Sequence, residues 1–241
     1  MNLIIDIGNS RVKVAVVDGQ AIVAEDASDD YSSQIIKTLA HKYDISRAIV
    51  SSTRGVQREV VESVRAIVGH CLLFDASVKV PLAIQYSTPE TLGRDRLAAA
   101  VGAREMFGEK DMLIVDFGTA ITIDLVSRSG GFEGGAISPG VMLRFRALHE
   151  FTASLPLCDP TFDVVDVARS TKEAIESGVM NGICFEIEGY ISQFLQKYDE
   201  LSIIFVGGDA KFFEKRIKNT IFVNRELLFR GLSRILDYNA E

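Results

Sequence analysis

A short pattern of residues occurs twice in this chain of 241 residues, and it strongly limits the possible folds. Residues 3–10, Leu-Ile-Ile-Asp-Ile-Gly-Asn-Ser, align without a gap with residues 113–120, Leu-Ile-Val-Asp-Phe-Gly-Thr-Ala. In each copy an apolar strand ends in Asp-x-Gly, and a second strand follows at Val12–Val17 or Ile121–Ser127. The copies are too far apart for a solenoid, whose repeats are about 20–50 residues long. The repeat therefore predicts two related α/β halves that face each other.

The remaining pattern is typical of alternating strands and helices, with a boundary between the halves near Glu109. This predicts an N-terminal half over 1–109 and a C-terminal half over 110–241. For the first half we predict helices near Tyr31–Lys42, Gly55–Val68 and Asp95–Phe107, and strands near Arg47–Ser51 and Cys71–Phe74. For the second half we predict a strand over Gly130–Ser138, a helix ending at His149, an irregular stretch Phe151–Val167, a long helix that a capping box opens at 170–173, a strand over Leu201–Val206 and two final helices.

Composition and charge exclude several classes of function. The formal net charge is −7 and the sequence pI is about 5.1, whereas nucleic acids and anionic membranes attract basic surfaces. The N-terminal residues have no secretory signal pattern, and no apolar run approaches the roughly 18 residues of a membrane helix, so we expect a cytoplasmic protein. The three cysteines are far apart in the sequence, which indicates buried free thiols. The three histidines are equally scattered, so a zinc site or a histidine triad is not expected.

The first Asp-x-Gly turn is a candidate phosphate-binding loop. Gly8 lets the backbone approach an oxyanion, and successive N–H groups of a turn can point at it. Asn9 and Ser10 add side-chain donors, Lys13 adds a positive charge, and Asp6 at the end of the strand could hold a hydrated Mg²⁺. A plain hairpin with a glycine in its turn explains the same residues.

The second copy, Asp116-x-Gly118-Thr119, strengthens the functional interpretation, because a cleft that binds a triphosphate from two sides needs both turns. A further glycine pair, Gly207-Gly208, follows an apolar strand and precedes Asp209 and a helix. Glycines there would let a purine lie flat against the backbone. An ordinary strand-to-helix turn is the alternative.

The segment Gly93-Arg94-Asp95-Arg96 has a different chemical character. Positive charge on both sides keeps the Asp95 carboxylate ionised, and such a group can accept a proton from a hydroxyl that attacks phosphorus. The two arginines can bind a carboxylate of the substrate. An ion-paired helix N-terminus, with Asp95 as an anion in the first turn, is the structural alternative.

The ordered set of motifs resembles that of the type III pantothenate kinases, and the resemblance extends from Asn2 to the last helix. The set consists of Asp6-Ile7-Gly8-Asn9-Ser10, Gly93-Arg94-Asp95-Arg96, Asp116-Phe117-Gly118-Thr119-Ala120, Gly134-Gly135-Ala136-Ile137-Ser138-Pro139-Gly140 and Gly207-Gly208-Asp209. The resemblance implies the duplicated actin-like (ribonuclease H-like) fold of the acetate kinase, sugar kinase, Hsp70 and actin superfamily, with an ATP cleft between the halves. It also implies phosphorylation of pantothenate by ATP, the first step of coenzyme A synthesis.

The same resemblance assigns expected roles to individual residues. It implies Asp95 as the proton acceptor, Thr119 as an ATP contact, and Asp116 as a ligand of the K⁺ or NH₄⁺ ion that the family requires, beside the Mg²⁺ that accompanies ATP. ATP phosphates are expected at Asp6, Ile7, Gly8, Asn9, Ser10, Arg11, Val12 and Lys13. Pantothenate is expected at Tyr86, Gly93, Arg94, Asp95, Arg96 and Thr171.

The resemblance further implies a homodimer with the substrate site near the subunit interface. The apolar positions of the long helix recur at helical spacing, so one of its faces must be buried, and Gly178 and Gly182 would let a second backbone approach closely. Packing of that face inside its own subunit is the alternative. For function, the alternatives are another small-molecule kinase of the same superfamily and a noncatalytic regulatory protein.

Overall fold

The computed structural model describes residues 1–55 and 57–240, which form two compact units. The first unit contains Met1–Glu109, Val126–Gly134 and Arg225–Glu241; the second contains Lys110–Leu125 and Gly135–Asn224. Val56, in a predicted helix, and Glu241, the last residue of the predicted C-terminal half, lie outside the described residues.

The first unit is built on a five-stranded sheet of order β3-β2-β1-β4-β5. The middle strand β1 is antiparallel to β2 and parallel to β4. The elements of this unit are β1 (Asn2–Ile7), β2 (Val12–Asp18), β3 (Ala21–Ser28), α1 (Ser33–Lys42), β4 (Arg47–Ser52), α2 (Arg58–Val68), β5 (Cys71–Leu73), β6 (Ala83–Ile84), α3 (Arg94–Phe107) and α7 (Leu227–Tyr238).

The second unit contains strands in the order β11-β10-β7-β8-β9, and its middle strand β7 is parallel to β10. Its elements are β7 (Asp111–Phe117), β8 (Ala120–Val126), β9 (Gly131–Pro139), α4 (Val141–Glu150), α5 (Thr171–Leu195), β10 (Leu201–Gly207), α6 (Ala210–Glu214) and β11 (Ile221–Val223). The first residues of β9, Gly131 and Phe132, belong to the first unit, where they pair with β6.

The two strand orders confirm the duplication that the repeat predicts. In the first unit β1 is followed along the chain by its neighbour β2, and the later strand β4 lies on its other side. In the second unit β7 is followed by its neighbour β8, and the later strand β10 lies on its other side. Asp6 and Asp116 occupy corresponding positions near the ends of these middle strands. The units are therefore two versions of one arrangement, each with an Asp-x-Gly turn after its middle strand.

The units differ from the predicted continuous segments 1–109 and 110–241. One division falls between Glu109 and Lys110, but α7 packs on β1 and α3 of the first unit. The side-chain amide of Asn2 donates to Ser233 Oγ at 3.0 Å and to Asp237 Oδ1 at 2.9 Å, and Arg47 donates to the same Asp237 oxygen at 2.8 Å. These bonds and the apolar face of α7 join the end of the chain to its beginning.

The core of the second unit lies between its strands and α5. Ser170 caps this helix as predicted, because its hydroxyl accepts the Glu173 N–H at 3.3 Å. The apolar positions of α5 belong to the same buried cluster as Leu113, Val115 and Phe117 of β7. The buried positions are Ile175, Val179, Ile183, Ile187 and Ile191, with Tyr190 and Phe194 partly buried beside them. Its own unit therefore covers the face that we expected at a subunit interface, and that part of the dimer hypothesis needs correction.

Candidate active site

In the first unit, the candidate phosphate loop is the turn between β1 and β2. The Gly8 N–H donates to the Arg11 carbonyl at 2.9 Å, and a Cβ on Gly8 would lie 3.2 Å from that oxygen. Asn9, Ser10 and Arg11 are exposed. The turn is thus compact at its base and presents polar groups to solvent, as an anion-binding loop requires.

Asp6 is positioned by the register of the sheet. It lies beside Lys13 in the antiparallel pair and beside Ser51 in the parallel pair. Asp6 is 5% exposed, whereas Lys13 is exposed. Partners in register present their side chains on the same face of a sheet, so an acid and a base lie side by side at the edge of the turn.

A residue that the motif analysis missed, Arg54, also contacts this loop. Its Nε donates to the Gly8 carbonyl at 2.7 Å, and its Nη2 donates to the Asn9 carbonyl at 3.1 Å. Arg54 follows β4, and parallel neighbours such as β1 and β4 end at the same edge of the sheet. The position of Arg54 just after a predicted strand could have indicated this contact, but only once that strand was known to pair with β1 in parallel.

The Gly-Arg-Asp-Arg segment begins α3, also in the first unit. Asp95 is half-buried in the first turn, where the helix dipole favours an anion, and its Oδ1 accepts the Arg96 N–H at 2.9 Å. A Cβ on Gly93 would lie 2.6 Å from the same Oδ1 atom. Glycine at position 93 therefore leaves room for the Asp95 carboxylate.

The two arginines of this segment have different surroundings. The Arg94 Nη2 donates to the Pro89 carbonyl at 2.6 Å, and burial lowers the pKa of the Arg94 guanidinium. Arg96 is 5% exposed, with its guanidinium carbon 5.7 Å from the Tyr86 ring centre and 5.6 Å from that of Phe132. The structure thus brings the predicted pair Tyr86 and Arg96 together and adds Phe132, which lies on β9 and was not predicted.

In the second unit, the turn around Thr119 packs against the backbone of Gly140. The Gly140 N–H donates to the Thr119 carbonyl at 3.1 Å, and a Cβ on Gly140 would lie 2.5 Å from that oxygen. Arg144 holds the preceding residues, because its Nε donates to the Pro139 carbonyl at 2.8 Å and its Nη2 donates to Ser138 Oγ at 2.8 Å and to Glu186. The Ser-Pro-Gly motif is therefore a support for the Thr119 turn.

Asp116 lies next to Gly207 on the neighbouring strand β10. A Cβ on Gly207 would lie 2.5 Å from Asp116 Oδ1 and 2.5 Å from the Phe117 carbonyl oxygen, and Gly207 has a φ of +93°. Glycine at position 207 thus lets two oxygen atoms, Asp116 Oδ1 and the Phe117 carbonyl oxygen, approach the backbone of β10 closely. Carboxylate and carbonyl oxygens are the ligands of hard cations, so the donor set fits a cation of this kind.

The neighbouring Gly208 and Asp209 are less informative about a purine. A Cβ on Gly208 would meet nothing within 4 Å, and α6 is only five residues long. Burial raises the pKa of the Asp209 carboxyl, which lines a small cavity of about 40 Å³ together with Phe162, Phe212 and others. The purine interpretation of this turn stays a prediction.

Thr171 is exposed at the start of α5 and is distant in sequence from the Thr119 turn. It lines an open groove of about 630 Å³ together with Pro139, Arg144, Leu155 and Gly178. The groove is mostly apolar, and it is bordered by α4 and α5.

Within residues 1–55 and 57–240, no three His, Cys, Asp or Glu side chains are grouped so that they could hold a metal ion. This is compatible with Mg²⁺ at a kinase site, since that ion keeps several waters and uses one or two carboxylates with substrate phosphates. Asp6 supplies one such carboxylate.

None of the helices described here is long and apolar enough to cross a membrane. The three cysteines are free and buried, and burial raises the pKa of Cys71 to about 11.

Comparison of the fold places this chain among proteins with a duplicated actin-like architecture. A Campylobacter jejuni structure provisionally described as a Baf family transcriptional activator superposes with a TM-score of 0.63 at 21% identity, covering 99% of this chain and 98% of that one. A Sinorhizobium meliloti structure provisionally described as a 2-dehydro-3-deoxygalactonokinase gives a TM-score of 0.60 at 14% identity, covering 99% of both chains. At these identities the likeness concerns the fold.

Sequence comparison narrows the class to one family. The model of the type III pantothenate kinases matches residues 2–193. A protein named type III pantothenate kinase from Bacteroides fragilis is 41% identical over 239 residues, covering 99% of this chain and 98% of the relative. The chain belongs to the type III pantothenate kinase family, which confirms the resemblance of its motifs.

Proposed function

We propose that this chain transfers the γ-phosphoryl group of ATP to pantothenate, giving 4′-phosphopantothenate in the first step of coenzyme A synthesis. The observation that carries this proposal is the match of residues 2–193 to the family model, within which both Asp-x-Gly turns and the Gly-Arg-Asp-Arg helix start are present. We place this reaction in the cytoplasm, where ATP is available, with neither nucleic acid nor a membrane as a partner. The acidic pI of about 5.1 supports this proposal, because nucleic acids and anionic membranes attract basic surfaces.

ATP phosphates are proposed at the β1–β2 turn, residues 6–13, and at Thr119. The exposed donors of Asn9 and Ser10 and the charge of Lys13 favour a polyphosphate at this turn. Asp6 is proposed to hold Mg²⁺ with ATP; when bound, this ion supplies charge neutralisation across the phosphate oxygens. The close backbone contacts of Gly8 and Gly140 make both turns compact.

Asp95 is proposed as the general base, accepting the proton of the pantothenate hydroxyl as it attacks the γ-phosphorus. Its partial exposure at the start of α3 leaves the carboxylate accessible. The positive charges of Arg94 and Arg96 favour the carboxylate of pantothenate nearby, with Gly93 and Tyr86 as further contacts. The rings of Tyr86 and Phe132 hold Arg96 in place.

Asp116 is proposed to bind a monovalent cation, K⁺ or NH₄⁺, together with the Phe117 carbonyl. The close approach of both oxygen atoms to Gly207 supports this role, since it brings two oxygen ligands of the kind that hard cations prefer near each other. The ion would supply positive charge against the repulsion between ATP and the carboxylates of Asp6 and Asp116.

A homodimer is proposed through the exposed face of α5. The apolar positions predicted for the interface are buried in their own unit, so the proposed face is the one with the exposed Gly178 and the 69% exposed Phe185. Gly182, which was predicted together with Gly178, is half-buried beside Arg144. A Cβ on Gly178 would meet nothing within 4 Å, so a second backbone could approach closely there. With Thr171 lining the adjacent groove, one subunit could complete the pantothenate pocket of the other.

The test of the function is an assay that couples ADP formation to NADH oxidation, with pantothenate, sugars and acetate as acceptors. Rapid turnover with pantothenate, and with none of the other acceptors, supports the proposal. Turnover with a sugar or acetate would favour another kinase of the superfamily. DNA gel shift by the same preparation, without ADP formation, would favour the regulatory alternative.

A further inference from the structure

We propose that Arg54 is a positioning residue for ATP, whose guanidinium orients the phosphate loop so that two successive peptide N–H groups point toward the phosphates. This inference rests on the proposed function, in which residues 6–13 bind ATP phosphates. Arg54 lies outside that loop and outside every motif of the sequence analysis, since 45 or more residues separate it from its loop partners.

The orientation follows from peptide geometry. Arg54 donates to two consecutive carbonyl oxygens, those of Gly8 at 2.7 Å and Asn9 at 3.1 Å. The described peptide bonds are all trans, and in a planar trans peptide the C=O and the next N–H point in opposite directions. The N–H groups of Asn9 and Ser10 are therefore directed away from the guanidinium. Successive N–H groups of a turn that face the same side can together bind an anion.

Arg54 is itself held at the edge of the sheet. The Thr53 N–H donates to the Ile7 carbonyl at 3.0 Å, and the Arg54 N–H donates to Ser52 Oγ at 3.0 Å. These bonds extend the pairing of β4 with β1 by one residue and fix the start of the Arg54 side chain. The side chain is 31% exposed.

The acidic contacts of Arg54 are weaker than its carbonyl contacts. Its Nη1 lies 3.4 Å from the carboxylate oxygen Asp30 Oδ1; a further bond, from Nη2 to the Asp29 backbone carbonyl, is also longer at 3.3 Å. The Asp30 side chain is 90% exposed, and an ion pair with so much exposure contributes little. Bonds from a charged donor to the loop carbonyls are the stronger part of the arrangement.

The same geometry makes Arg54 a positioning residue instead of a phosphate ligand. Its Nε, Nη1 and Nη2 atoms all donate to the loop or to the residues after β3. Lysine cannot reproduce this arrangement, because its single ammonium is not a planar fork with fixed donors.

The experiment measures ATP and tripolyphosphate binding by calorimetry, together with steady-state kinetics, for Arg54→Ala and Arg54→Lys. We expect the Kd of both ligands and the KM of ATP to rise by about tenfold or more in each variant, the loss expected for charged hydrogen bonds. The KM of pantothenate and the thermal unfolding temperature should stay close to wild type. Arg65→Ala is the matched control, since Arg65 lies on α2 and donates to the Cys71 carbonyl at 3.2 Å, at the start of the edge strand β5.

The outcomes separate this inference from the proposed function. Asn9→Ala and Lys13→Ala should weaken ATP binding if the loop binds phosphates; unchanged binding in both would overturn the loop assignment and the inference with it. If the loop variants weaken binding and Arg54→Lys does not, charge alone suffices and the positioning role is wrong. Arg54→Lys decides this even if Arg54→Ala does not fold.

Discussion

Gly102 of α3 and Gly231 of α7 lie against each other where the two helices of the first unit cross. A Cβ on Gly102 would lie 3.1 Å from the Gly231 nitrogen, and a Cβ on Gly231 would lie 2.9 Å from the Gly102 nitrogen. Each Cβ would also overlap a carbonyl oxygen of the other helix, that of Leu227 or Ala98. The helices are therefore in backbone contact, and α3 carries Asp95 at its start.

We predict that Gly102→Ala lowers the free energy of unfolding by about 2–3 kcal/mol, near the upper end of the usual range for overpacking, because backbone atoms cannot yield as side chains do. Urea unfolding followed by circular dichroism measures the change. Gly189→Ala is the control: its Cβ would meet nothing within 4 Å on α5, so helix propensity should make it neutral or stabilising by up to about 1 kcal/mol. Equal stability of the two variants would contradict the backbone contact.

We predict that Asp95→Asn folds normally and still binds ATP but lowers kcat by about 10²–10⁴-fold, because an amide cannot accept the hydroxyl proton. Single-turnover and steady-state assays measure the loss. Glu105→Gln is the matched control on α3; it removes a carboxylate that pairs with Arg234 at 3.8 Å and should leave kcat close to wild type. Near-wild-type turnover of folded Asp95→Asn would remove Asp95 from this role.

We predict that activity is nearly absent in Tris or choline salts and returns with KCl or NH₄Cl. Asp116→Asn and Gly207→Ala should each raise the half-activating KCl concentration by at least about tenfold, as expected when a cation site is disturbed. The second change adds a Cβ that would lie 2.5 Å from Asp116 Oδ1 and so displaces that carboxylate, and it strains a backbone with a φ of +93°. Asp111→Asn, at the start of the same strand, is the control. Full activity of the dialysed enzyme without K⁺ or NH₄⁺ would exclude the cation site.

We predict that Gly178→Leu weakens self-association and pantothenate binding together, because a bulky side chain would separate two α5 backbones. Sedimentation velocity and calorimetry measure the two effects. Thr38→Leu, at an exposed position of α1, is the control and should change neither. A wild-type protein that sediments as a fully active monomer would refute the proposed dimer.

Much of the fold follows from local patterns, and the exceptions have physical reasons. The two apolar strands with Asp-x-Gly predicted the two middle strands, and the Ser170–Glu173 pattern predicted the start of α5. The missed strands are edge or end strands: β6 has two residues, β11 has three, and β3 has a largely exposed, polar face. Such strands have no complete apolar alternation to detect.

The candidate site shows the same limit. Motif residues could be identified because their chemistry is local, as with Asp95 between two arginines. Arg54 could not, because it acts through backbone carbonyls that any residue provides. The face of α5 could not be assigned either, since helical periodicity says that a face is buried but does not name the partner that covers it.

The placement of α7 in the first unit also determines when that unit can form during synthesis. Its helix packs on β1 and α3, and Asn2 bonds to Ser233 and Asp237 more than 230 positions later in the chain. A ribosome that adds about 5–20 residues per second therefore completes the core around β1 last, after all strands of the second unit have emerged. Until then the surfaces of β1 and α3 that α7 covers are exposed, so β1, which is made before every other element described here, is among the last to be protected from aggregation.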